Sequence, residues 1–130
     1  MAKGKCLCEP QEILFFPCSG GSNVGQIANQ AAVELTREGT GKIFCLAGIG
    51  GHVDGLIEST KAGKILVAID GCPVSCARKT LEHGGFECRH VRLDDLGISK
   101  TPCSLTWDDK QVSMVKDTVK SILSGRGSAK

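Results

Sequence analysis

"KILVAIDGCPVSCARKTLE", residues 64–82, decides the fold. Its first six residues predict a strand, and the core of that run, Ile65 to Ile69, is apolar without a break. A continuous rather than alternating apolar run is the pattern of a strand buried on both faces, as in a parallel sheet. Two thiols follow, Cys72 and Cys76. Pro73 suits the first position of a helix, where its missing N–H costs nothing. The helix then runs through "PVSCARKTLEHGG" and is closed by Gly84 and Gly85. The stretch therefore predicts strand, tight turn and helix, with Cys72 at the turn and Cys76 one helical turn further on.

The same alternation extends in both directions. Apolar runs predict further strands over 12–17 and 42–46, and a fourth, of mixed polarity, over 87–93. Between the first two, Val24, Ile27, Ala28, Ala31, Ala32 and Leu35 recur on one helical face. Ser22 or Asn23 can cap that helix and Gly39 can end it. "AGIGGHVDG" reads as a loop, with a short helix over 55–60. Beyond the fourth strand the chain reads as irregular, with one short helical turn. A last helix begins at Asp108 and carries the stripe Val112, Val115, Val119, Ile122 and Leu123. Strand and helix alternating four times predict an α/β three-layer sandwich with a mostly parallel, Rossmann-like sheet of about four strands. The first three strands are expected to be central and the fourth an edge. One domain is expected over 11–124, between flexible segments at 1–10 and 125–130.

Composition excludes several functions. The formal charge is +2 and the lysines are scattered, so the clustered cations of a nucleic-acid footprint are missing. The longest apolar runs, "ILFF" and "ILVAI", are too short to span a bilayer, and the basic start lacks an apolar h-region. The chain reads as soluble and cytoplasmic, with no nucleic-acid or membrane partner. Eight cysteines in 130 residues then need a chemical reason. In a reducing compartment such cysteines bind metal or do chemistry more often than they pair as disulfides.

In a parallel sheet all strand C-termini share one edge, and ligands of open α/β sheets bind there. Cys18 follows the first predicted strand, Cys45 lies near the end of the second, and Cys72 and Cys76 follow the third. Four thiols from three strands are thus expected at one rim. Four thiolates match a closed zinc site with Zn–S distances of about 2.3 Å. Helical i and i+4 residues, roughly 5–6 Å apart at Cβ, suit two ligands of one ion. Helix N-termini favour thiolate over thiol. The same four-sulfur set also suits an iron–sulfur cluster. Asp70 and Gly71 border this set: Asp70 either orients a ligand or accepts hydrogen bonds from the next loop, or is a simple turn carboxylate before Gly71. The glycine-rich loops "SGGSN" and "AGIGG" offer backbone N–H groups to the sulfurs.

Three blocks, "FPCSGGSNVGQIANQAA", "FCLAGIGG" and "AIDGCPVSCARKTLE", resemble in order the DGC-domain family, named for its Asp-Gly-Cys motif and described as zinc-binding. The resemblance implies metal binding, and the family's chelating cysteines fall on Cys18, Cys45, Cys72 and Cys76. It implies no particular reaction.

Other residues compete for attention. Cys6 and Cys8 form a C-x-C near the start, able to hand metal to the core or simply exposed. Cys88 reads as a small hydrophobe of a strand, and Cys103 as a residue of an irregular stretch able to approach the site edge. His52 follows a glycine run on the expected ligand edge, whereas His83 and His90 read as surface residues. "CSGGSNVG" invites comparison with the C-x5-R phosphate loop, but Val24 stands where the arginine is needed. No nucleotide-binding glycine motif is present. Two functions follow: a zinc-binding carrier, sensor or accessory protein, or a thiol-redox or persulfide-handling enzyme using Cys72 and Cys76. An iron–sulfur electron carrier is a variant of the first.

Overall fold

The computed structural model describes residues 12–101 and 103–125. Cys6 and Cys8 lie outside them. The described residues form one four-stranded sheet in which every pair is parallel. The strands are β1 (Ile13–Pro17), β2 (Lys42–Ile43), β3 (Ile65–Asp70) and β4 (Arg89–Arg92), in the order β2-β1-β3-β4. The α/β sandwich expected from the sequence is the fold.

Alternation along the two central strands sorts their side chains into two cores. Phe15, Val67 and Ile69 face one side and pack with Val24, Ile27, Ala31 and Leu35 of α1 (Asn23–Arg37) and with the Val112, Val115, Val119 stripe of α5 (Asp109–Leu123). Leu14, Phe16, Leu66 and Ala68 face the other. They pack with Ile49 of α2 (Leu46–Gly50), Ile57 of α3 (Asp54–Lys61) and Ala77 and Leu81 of α4 (Cys76–His83). A 3-10 turn, Leu93–Leu96, follows β4.

The long helices begin and end on the expected signals. Ser22 Oγ accepts from the Gly25 N–H, and Gly39, at φ 85°, follows the C-cap Glu38. Asp108 and Gln111 form a reciprocal capping box on α5. Lys116 of α5 ties the two helices together by reaching Glu34 and Glu38 of α1.

Three expectations change. β2 is an edge strand of two residues, not a central one, and its Lys42 and Ile43 are only half-buried. Part of the stretch read as a loop after β2 is helix α2. Most important, the helix after β3 does not begin at Pro73. Ser75 takes the left-handed conformation, φ 58° and ψ 47°, and α4 begins at Cys76. Left-handed backbone cannot propagate a right-handed helix, so Cys72 and Cys76 are not helical neighbours one turn apart.

Candidate functional site at the carboxyl rim of the sheet

The chain reverses its direction of travel between the two central strands. From β1 it passes to β2 on one side; from β3 it passes to β4 on the other. The helices that follow β1 and β3 accordingly cover opposite faces. Such a reversal opens a crevice at the carboxyl ends of the two strands, the usual ligand position in open α/β sheets.

Cys18 leaves β1 at this crevice, and its N–H donates to Ile69 O of β3 at 2.8 Å. Its Sγ accepts from the Gly20 N–H at 3.4 Å, a sulfur contact of the kind expected from the glycine loop. The turn is compact because Gly25 has no side chain: a Cβ there would lie 2.6 Å from Gly20 O. Cys45 is held beside the end of β1, since the Phe44 N–H donates to Phe15 O at 2.8 Å. It is the residue before α2, exposed, and shares with Pro17, Ser19, Phe44, Leu46 and Thr80 a shallow groove of about 470 Å³.

The exit of β3 is built around Asp70. The carboxylate is 1% exposed and accepts the Ala77 N–H at 2.7 Å on Oδ1 and the Arg78 N–H at 3.1 Å on Oδ2. These are the second and third amides of α4, the donors that a cap satisfies. Ser75, the nominal cap, makes no such bond; its Oγ donates to Pro73 O instead. Asp70 thus caps α4 from the strand. It also meets His90 Nε2 at 2.8 Å. A carboxylate only accepts, so Nε2 carries the proton. His90, read as a surface residue from the sequence, is buried at 7% exposure. Gly71 lies against α1: a Cβ there would be 2.8 Å from Val24 Cγ2.

The four cysteines expected at the rim lie on the segments that leave β1, β2 and β3, with Cys72 half-buried and Cys76 exposed. Their side chains are not gathered around one point. Cys18 packs against the α1–α5 core, whereas Cys76 opens α4 on the other face. Among the described residues, no three His, Cys, Asp or Glu side chains form a group able to hold a metal ion.

Residues 14–119 match the DGC domain. The chain belongs to the DGC domain family. It is also 38% identical over 88 residues to the "anaerobic and virulence modulator AnvM" of Pseudomonas aeruginosa, covering 67% of this chain and 67% of that protein. No solved structure matches. The DGC motif itself, Asp70-Gly71-Cys72, now has a physical reading for two of its three residues: the aspartate caps α4, and the glycine permits close approach to α1.

The remaining candidates are His52, Cys88 and Cys103. His52, at φ 59°, lies near His83, the last residue of α4, with ring centroids 6.1 Å apart. It therefore sits toward the far end of that helix from Cys76. Cys88 packs as a small hydrophobe against the α2–α4 core, and burial pushes its thiol up to about 11. Such a thiol stays protonated at neutral pH and is a poor nucleophile. Cys103 is exposed at φ 62°. No helix among the described residues is long and apolar enough to cross a membrane.

Sequence reasoning missed His90, and it gave Asp70 as an acceptor for the next loop rather than as the cap of α4. The signal was the register of β3 against β4, which pairs Ala68 with His90 and sets His90 diagonally beside Asp70. Register of this kind is invisible until the strand order is known.

Proposed function

We propose that this chain is a zinc-binding protein of the sensor or accessory kind, holding the ion through Cys18, Cys45, Cys72 and Cys76. The observation that carries the reading is positional. Three parallel strands deliver cysteines to one rim, two of them flanking the crevice where the strand order reverses. The donor set fits the metal: soft thiolates select zinc or iron–sulfur clusters over harder ions. The ion would draw the thiols together, because the sulfurs are not already grouped. Cys45 and Cys76 are exposed, and exposed side chains change rotamer readily. Zinc would supply charge neutralisation and a cross-link between the three exits, and the Gly20 N–H would support the Cys18 sulfur. A role in modulation rather than turnover accords with the name of the Pseudomonas relative.

Elemental analysis of anaerobically purified full-length protein tests the reading. Near one zinc per chain is expected, lost in Cys72→Ser and in Cys76→Ser. Brown protein with labile sulfide would replace zinc by a cluster. Metal-free protein with a reversible Cys72–Cys76 disulfide would overturn metal binding in favour of thiol-redox chemistry.

A further inference from the structure

We propose that His90 is a positioning residue for the rim: through Asp70 it holds the first turn of α4, and with it Cys76, in place. The inference rests on the zinc reading only for its consequence, not for its geometry. Cys76 is the first residue of α4. The next two amides, of Ala77 and Arg78, are bound by the two oxygens of Asp70. Oδ2 also takes the His90 Nε2 contact at 2.8 Å. Both side chains of the pair are almost fully buried, at 5% and 2% exposure.

Local sequence does not replace this support. Ser75 offers no side-chain cap, and its left-handed backbone disconnects α4 from the preceding turn. The entry of α4 is therefore fixed from the sheet, by a chain of contacts running from β4 to β3 to the helix. A carboxylate with two rotatable bonds needs a second restraint to present both oxygens to two consecutive amides. His90, held on β4 opposite Ala68, supplies it. Partners that orient the residues around a metal typically change affinity by about 10–100-fold when removed. No DGC motif letter marks this histidine, which lies twenty residues away from Asp70 in sequence.

Three variants of the full chain test the idea. Gln places its amide nitrogen where His Nε2 stands; Asn places its amide at the Nδ1 position and falls short of Asp70; Phe keeps the volume and has no donor. In metal-free protein, His90→Phe and His90→Asn are expected to raise amide hydrogen exchange at Ala77 and Arg78 at least about tenfold, with Val67 and Ile69 still protected. His90→Gln restores most of the protection. Competition with a chromophoric chelator is expected to show zinc affinity weakened about tenfold or more in Phe and Asn, and largely recovered in Gln. Should His90→Phe fail to fold, the Asn and Gln pair carries the test. Unchanged exchange at Ala77 and Arg78 in the Asn variant would overturn the proposal. Wild-type protein that takes up no zinc would overturn the metal reading instead, while the exchange data still decide what His90 does.

Discussion

β1 and β3 lie side by side and run the same way, yet their exits are built from different materials. After β1 the turn is local: Ser22, the residue before α1, caps that helix with its own hydroxyl. After β3 the corresponding serine, Ser75, caps nothing, and the work passes to Asp70 and His90. The first exit therefore depends on nearby residues, the second on strand pairing. This difference has an energetic side. The Ser22 cap satisfies one amide with one neutral hydroxyl. The Asp70 carboxylate, almost fully buried, satisfies three donors at once. Damage to the second exit should accordingly be far more costly.

Asp70→Ala gives the largest expected effect. It leaves two helix amides and a buried imidazole without their acceptor. A buried donor left without its acceptor costs about 1–3 kcal/mol, and three such donors amount to a large share of the roughly 5–15 kcal/mol that a domain has. Urea unfolding followed by circular dichroism measures it. A loss below about 1 kcal/mol, the size of a single side-chain cap, would erase the distinction between the two exits.

Gly71→Ala asks whether the exits are independent. The added Cβ would meet Val24 Cγ2 at 2.8 Å and the Val24 backbone carbon at 2.9 Å. Val24 belongs to the first turn of α1, so strain introduced at the second exit is delivered to the first. Overpacking of this kind costs about 1–3 kcal/mol. Combining it with Val24→Ala removes the Cγ2 contact but leaves those to the Val24 Cβ and backbone carbon, both at 2.9 Å, so only part of the loss should return. Full recovery in a double-mutant cycle would mean that the backbones move apart easily and that the close approach is incidental.

The contrast also explains what the sequence made legible. Helix α1 could be read because every signal it uses is local: a serine cap, an apolar stripe at helical spacing, and a glycine just past the end. The unbroken apolar run of β3 announced a parallel sheet for the same reason, since burial on both faces leaves no room for alternation. Strand order was not legible. Phe44 and Ile43 looked like central-strand residues, but they cover only one side of β1 at an edge. The start of α4 was misread because Pro73 is a good first residue of a helix in isolation, while the left-handed Ser75 and the distant Asp70 set the actual start. At the candidate site, the positions of the cysteines on three strand exits followed from topology, whereas the directions of their side chains did not. Those directions depend on which core each exit packs against, as the turn of Cys18 toward α1 and α5 illustrates.

The smallest effect separates the two serines themselves. Ser22→Ala removes the hydroxyl that accepts the Gly25 N–H at 3.2 Å, and the loss should be about 1 kcal/mol, within the 0.5–2 kcal/mol usual for such caps. Ser75→Ala removes only a hydroxyl that donates to Pro73 O, and it leaves both α4 amides on Asp70. Alanine and serine differ little in their tolerance of the left-handed region, so the backbone term nearly cancels. Thermal unfolding of the two variants side by side should place Ser22→Ala clearly below Ser75→Ala. The reverse order would imply that Ser75 does cap α4 in solution, and that Asp70 is held by His90 for some purpose other than shaping the helix start.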